Sequence, residues 1–282
     1  MDPAGGLRMT DPWPIRWLSR TGACLLLITL VCACQAPASP KTPPAPAAEM
    51  PAASAKGVLR VGITPNMPPL IFRQQGQIVG LEAEFARGLA QHLTYRLELV
   101  EVRWDDQINY LMKGRTDIIM SGMSITDMRR IRIAFCAPYA KTGQMALIRR
   151  EDIQRFRTGY YSLVEIPAIG AIRDTTGDLF IRSRFPDTRK LFFDSLDDGV
   201  RALLRRKVDV LVHDAPAVMM AAARFENKLA PIPKMFTNEY LAWGVRKDNP
   251  ELLEQANAYI ATLKENGRLK EMVNRWIPFV AN

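Results

Sequence analysis

The sequence predicts an α/β protein whose mainly parallel, helix-covered sheets gather their ligand sites at the carboxyl ends of strands. Three observations predict it. Short apolar or alternating runs take turns with stretches whose apolar residues recur every three or four positions, so strands and helices alternate along the chain. The alternation comes in two similar blocks, the second beginning near Ile148. The 282 residues, 48% of them hydrophobic, suffice for one large domain or two ordinary ones with a packed core.

The first 35 residues form a separate object. Arg8, Arg16 and Arg20 precede the apolar run Ala23 to Val31, which is too short for a mature membrane span and suits a secretory signal. The run ends in Val31-Cys32-Ala33-Cys34, which resembles the bacterial lipobox and makes Cys34 the candidate lipid anchor. Cys32 at the middle position and Gln35 after the anchor depart from the usual choices, and ordinary cleavage releasing a soluble protein is the plain alternative. Ala36 to Ala55 is Pro, Ala, Ser and Thr with little to bury, so it reads as a tether. A periplasmic protein held to a membrane through Cys34 is therefore expected, with residues 1–33 as signal and 34–56 as tether.

From Gly57 the text changes. Val58-Leu-Arg-Val-Gly-Ile alternates as a strand, and Pro65, Pro68 and Pro69 break it. Glu82 to Leu93 places Phe85, Leu89 and Leu93 on one helical face, and Leu97-Glu-Leu-Val-Glu-Val alternates again. Ile108, Leu111 and Met112 fit a short helix before the apolar Asp117-Ile-Ile-Met. In the second block Ile169-Gly-Ala-Ile, Lys190-Leu-Phe-Phe and Val208-Asp-Val-Leu-Val read as strands, Asp178 to Arg184 and Leu196 to Leu204 as helices. Tyr240-Leu-Ala-Trp-Gly-Val is a further strand pattern, and Glu251 to Glu265 and Leu269 to Trp276 finish the chain as helices.

Composition excludes several functions. Residues 1–33 hold three of the 38 basic and two of the 29 acidic residues, so the remainder carries 35 and 27, a balance of +8. That excess is scattered, with no basic tract interleaved by aromatics, and nucleic acid is not an expected partner. Loss of Cys24 and Cys32 with the signal and lipidation of Cys34 would leave Cys136 alone, so no internal disulfide is available. Cys136 sits in the apolar phrase Ile133-Ala-Phe-Cys-Ala-Pro, as a small buried hydrophobe does, and only His92 and His213 exist to activate a nucleophile. No cofactor or metal is expected.

Residues 121–130, Ser-Gly-Met-Ser-Ile-Thr-Asp-Met-Arg-Arg, carry the most chemistry. Thr126 followed by Asp127 suits a helix N-terminus, where free amides and the dipole favour negative charge. Arg129 falls in the first turn, and beside Ser124 and backbone amides its guanidinium could grip a carboxylate through two parallel hydrogen bonds. A capped helix with surface arginines is the plain alternative.

Leu59-Arg-Val-Gly, Val79-Gly-Leu-Glu-Ala-Glu-Phe, Trp104-Asp, the run from Gly114 to Arg129, Pro138-Tyr-Ala-Lys-Thr-Gly-Gln, Asp194-Ser-Leu-Asp-Asp and Asp209-Val-Leu-Val-His-Asp follow one another in order. Together they resemble family 3 of the bacterial extracellular solute-binding proteins, closest in motif to its glutamine- and histidine-binding branch, over roughly Gly57 to Pro278. The resemblance implies a type II periplasmic-binding-protein fold: two α/β lobes joined by two hinge strands, closing on an amino acid in the cleft. Lobe 1 would hold residues 57–143 and 241–282, lobe 2 residues 144–240. The implied partner besides the ligand is an ABC permease, and the binder is expected as a monomer.

The same resemblance assigns the site. Ser124 and Arg129 would bind the ligand α-carboxylate, with Gly122 giving backbone contact. The second-lobe turn corresponds to Asp174-Thr175-Thr176-Gly177, whose amides and hydroxyl would reach the same carboxylate, although Asp174 replaces a usual glycine. Asp214, preceded by His213, would receive the α-ammonium; a strand-end turn capped by Asp214 is the plain alternative. Met67 stands where the family often has an aromatic, Trp104 keeps the second aromatic, and Thr64 stands where some relatives carry an acid. Loss of that acid, with Arg173 on the opposite rim, favours a neutral or acidic amino acid.

Two other readings compete. Periplasmic cyclohexadienyl dehydratases look like this family and carry an acid near the place of Asp178, which would act as a general acid if burial raised its pKa; as a first-turn carboxylate, Asp178 also has an ordinary structural explanation. A sensor of a small carboxylate would use the same module, but no second membrane run or kinase region follows in the sequence.

Overall fold

The alternating run at the start of the second text folds as strand β1, Gly57–Ile63, with Leu59, Val61 and Ile63 turned into the core. The computed structural model describes residues 55–278, all within the unit Pro46–Asn282; the expected signal, Cys34 and nearly all of the tether lie outside them. After β1 the prolines end the strand, and the chain enters a small antiparallel meander, β2 Asn66–Met67, β3 Ile71–Gln74 and β4 Gln77–Val79, too short to be seen in the sequence. It feeds through Gly80, whose φ is 120° and where a Cβ would lie 2.3 Å from the Leu70 carbonyl oxygen, so only glycine fits.

Helix α1, Leu81–Leu93, buries Phe85 and Leu89 on the expected face. Strand β5, Tyr95–Glu101, then pairs parallel to β1, followed by α2, Gln107–Met112, and β6, Ile118–Ile119, on the other side of β1. Helix α3, Asp127–Arg132, starts where Thr126 and Asp127 predict: the Thr126 hydroxyl oxygen accepts from the Arg129 amide at 3.2 Å. Strand β7, Ala134–Phe135, follows.

The chain leaves this sheet through β8, Ala140–Thr142, and enters a second one as β9, Gln144–Arg149. There follow β10 Ala168–Ile172, α4 Thr176–Arg184, β11 Arg189–Phe193, α5 Leu196–Leu204, β12 Val210–Asp214, α6 Ala215–Arg224 and β13 Leu229–Pro231. Strand β14, Glu239–Leu241, returns antiparallel to β8 with Glu239 opposite Thr142, and β15, Gly244–Val245, re-enters the first sheet. Helices α7, Pro250–Glu265, and α8, Arg268–Trp276, end the described chain on lobe 1, where Trp276 and Arg275 donate to Glu84 of α1 at 2.8 and 3.1 Å.

The two main sheets run β5-β1-β6-β15-β7 and β11-β10-β12-β9-β13. Each is parallel except for one reversed strand, β15 in the first and β9 in the second. Both reversed strands arrive directly from a crossing between lobes, so they enter from the end at which the other strands finish. This is the expected two-lobed α/β architecture with paired hinge strands.

Three expectations are corrected. The strand placed at Val208 to Val212 runs two residues later, because it is buried on both faces and lacks an alternation to mark its ends. The single strand read at Tyr240 to Val245 is two, split between the hinge and the first sheet, with the fully buried Trp243 packed on Phe85 at 5.3 Å between them. Helix α6 went unread, since its Ala- and Met-rich run starts at the strand end without a loop.

Candidate ligand site

Strand β6 delivers residues 121–124 to the carboxyl edge of the first sheet, and a set of local hydrogen bonds fixes them there. The Ser121 hydroxyl oxygen accepts from the Thr64 amide at 2.9 Å, the Gly122 amide donates to Glu82 at 2.7 Å, and Ser124 bridges to Leu241 of the hinge. Gly122 has φ 65°, and a Cβ on it would lie 2.3 Å from Met67 Cε. Arg129, half-buried in the first turn of α3, donates through Nη1 to the Ser124 carbonyl at 2.8 Å and through Nη2 to the Asp174 carbonyl at 3.4 Å. Its guanidinium carbon lies 5.2 Å from the Trp104 ring centroid. Burial draws its pKa down while Asp214 and Glu239 oppose the shift, and an arginine so placed stays charged.

The second lobe answers with two strand ends. Asp174, in left-handed conformation at φ 59°, turns its carbonyl towards lobe 1, where Trp104 Nε1 donates to it at 2.9 Å in addition to Arg129. Buried Asp178 accepts from the Asp174 amide at 3.0 Å and from Arg182, and Thr175 caps α4 through the Asp178 amide at 3.3 Å. At the end of β12, buried Asp214 accepts from Gln144 Nε2 at 2.5 Å, a group that also reaches Thr176 Oγ1 at 2.9 Å and Glu239 Oε1 at 3.3 Å. Burial, followed by the charge of Glu239, pushes Asp214 up to about 7, and Gln144 and Arg129 restrain the rise. His213 is held neutral, its pKa lowered to about 4 by burial, with Nδ1 3.7 Å from Asp214 Oδ2.

These walls enclose a narrow inner chamber of about 30 Å³, opening to a cleft of about 490 Å³. Thr64, Asn66, Trp104, Ile172 and Asp194 line both, so they are one passage. The inner chamber brings together most of the expected residues: Met67, Gly122, Ser124 and Arg129 from one lobe, Thr176, His213 and Asp214 from the other. Arg173 lines only the outer cleft, where it pairs with Asp194 at 3.4 Å. Gly177 lines neither; it lies beneath Gln144, where a Cβ would come 2.7 Å from Oε1.

Sequence reasoning missed Asn66, Ser121 and Ile172 in the lining, Gln144 as the donor to Asp214, and Glu239 as the second acid that Gln144 reaches. Gln144 was visible only as the last residue of Thr142-Gly-Gln, a phrase used for the resemblance without a role. Among the described residues no group of three or more His, Cys, Asp or Glu side chains is placed to hold a metal, and no helix is long and apolar enough to cross a membrane. Cys136 is buried, and burial pushes its thiol up to about 12, which leaves it without nucleophilic character at neutral pH.

Comparison with known proteins bears on the family and the fold. L-cystine-binding protein TcyJ of Escherichia coli is 25% identical over 222 residues, covering 78% of this chain and 83% of that protein. An arginine-bound ArgBP variant from T. maritima superposes with a TM-score of 0.69 at 30% identity, covering 74% of this chain and 96% of that one. Cyclohexadienyl dehydratase of Pseudomonas aeruginosa is 28% identical over 178 residues, 62% of this chain and 64% of that enzyme. The sequence profile of one family spans residues 59–279, nearly the whole of the two lobes. On that match and this architecture, the chain belongs to the bacterial extracellular solute-binding proteins, family 3.

Proposed function

We propose that this protein captures an amino acid between its lobes and presents it to the permease of an ABC transporter, tethered to a membrane through lipidated Cys34. The observation that carries the reading is a guanidinium and a carboxylate on opposite walls of one chamber, Arg129 and Asp214, which complement the two ends of a zwitterion. Ligand contacts from both lobes exist together only when the cleft is closed, so binding favours that form, and the permease would recognise it.

The side-chain end of the passage supports a ligand with no net side-chain charge, within the neutral or acidic class. The Thr64 hydroxyl is already engaged, donating to the Val102 carbonyl and accepting from Gln107, both at 2.8 Å. Met67 adds apolar surface, and the charge of Arg173, which would favour an acidic ligand, is partnered by Asp194. A thermal-shift screen against the L-amino acids and L-cystine tests the reading: a true ligand at about 100 times its Kd adds about 2.7 kcal/mol of stability. No shift with any of them would refute it.

The dehydratase relative gives a second reading its one support. Asp178, the candidate acid, is turned away from the chamber, accepting from the Asp174 amide and Arg182. Asp178→Ala is therefore expected to lower stability by about 2 kcal/mol through loss of the buried acceptor of the Asp174 amide and Arg182, without changing the chemistry of the protein. Incubation with prephenate, assayed for phenylpyruvate, is expected to give none; product formation that the variant abolishes would establish the enzyme instead.

A further inference from the structure

Glu82 has no part in the roles above, although it is 0% exposed. Its carboxylate meets three donors from three separate segments. Oε1 accepts from the Gly122 amide at 2.7 Å and from the Tyr139 hydroxyl at 2.6 Å, and Oε2 accepts from the Trp243 indole N–H at 3.0 Å. Gly122 belongs to the loop that lines the inner chamber; Tyr139 immediately precedes hinge strand β8; Trp243 lies between hinge strand β14 and β15. One side chain thus joins the ligand loop to both crossings between lobes.

An acid buried without a cation is costly, and a hydrophobe of similar size would fill the space at lower cost. What a hydrophobe cannot supply is a common acceptor for an amide, a hydroxyl and an indole. The amide matters most, because Gly122 sits in the left-handed region and leads directly to Ser124, whose carbonyl holds Arg129 Nη1. Burial pushes the Glu82 carboxyl up to about 7, and the three donors oppose that rise.

We propose that Glu82 is a positioning residue of the ligand site: its carboxylate locks the Gly122 loop to both hinge crossings, so that the loop and Arg129 meet the ligand in one fixed geometry. The inference rests on the amino-acid-binding reading and concerns a residue that never touches the ligand.

Glu82→Gln, nearly isosteric, offers one acceptor oxygen and turns an NH2 towards donors. In the ligand-free protein, hydrogen exchange followed by NMR is expected to show the Gly122 amide exchanging at least tenfold faster, with amides of β10 and β12 unchanged. Measured well below the melting temperature of the variant, affinity for the L-amino acid that shifts the wild type most is expected to fall at least tenfold. A lower melting temperature with unchanged affinity would mean a purely structural role and would overturn the proposal, as would unchanged Gly122 exchange. Should Glu82→Gln fail to fold, Tyr139→Phe and Trp243→Phe each remove one donor and keep the acid; about threefold weaker binding is expected for each, and unchanged affinity in both sinks the idea. A wild type that binds none of the amino acids defeats the functional reading instead, while Gly122 exchange still reports whether Glu82 fixes the loop.

Discussion

Arg129→Ala is expected to weaken amino-acid binding by at least about 2 kcal/mol, roughly thirtyfold in Kd. Two losses add. The variant removes a half-buried charge that would meet the ligand carboxylate in a bidentate pair, and it leaves that carboxylate desolvated without a partner. It also removes the Nη2 contact to the Asp174 carbonyl, which bridges the lobes, and the stacking on Trp104 within lobe 1. Arg129→Lys restores charge but not the fork, so partial recovery is expected. Isothermal titration with the ligand found by screening checks both, and wild-type affinity in Arg129→Ala would show that the guanidinium has no ligand.

The second large effect belongs to Asp214. Asp214→Asn is expected to weaken binding of amino acids by at least tenfold while sparing des-amino analogues, since an amide cannot neutralise an ammonium. Equal losses for both ligand classes would exclude the ammonium role. Affinity should also depend on pH. Burial raises the Asp214 carboxyl from 3.8 to about 7 in the ligand-free fold, so the group is partly protonated near neutrality and must ionise to receive the ammonium. Affinity is therefore expected to fall as pH drops below about 7, by up to about tenfold per unit, and to level off above it. Stability of the ligand-free fold runs the other way: a carboxyl raised on folding binds protons more tightly in the native state, so its contribution is lost as pH climbs from about 4 through about 7. His213, lowered to about 4, is neutral from about pH 5 upwards. Titrations of wild type and Asp214→Asn between pH 5 and 8 separate this acid from the rest of the pH response.

What could be read from the sequence was what local chemistry writes locally. Thr126 and Asp127 mark a helix start because capping needs only near neighbours, and Arg129 follows by count. Phe85 and Leu89 mark the buried face of α1 for the same reason. Asp214 was found through the order of motifs alone, since its strand lacks alternation. Gln144 and Glu239 were out of reach: they lie 95 residues apart and meet only because two hinge strands run side by side. Glu82 was disguised differently, as an acid in the first turn of a helix, where a solvent-facing carboxylate would be ordinary. Its burial depends on Trp243, which lies 161 positions away and could not be foreseen.

The late return of β15, α7 and α8 has a consequence for biogenesis. The sheet begun by β1 receives β15 only after residue 245 has been made, whereas the sheet from β9 to β13 is complete by residue 231. During vectorial synthesis at roughly 5–20 residues per second, the amino-terminal half therefore waits for the carboxyl terminus, while the middle of the chain can fold first. The first sheet is thus closed by a strand from the far end of the chain, whereas the second is made from one continuous stretch.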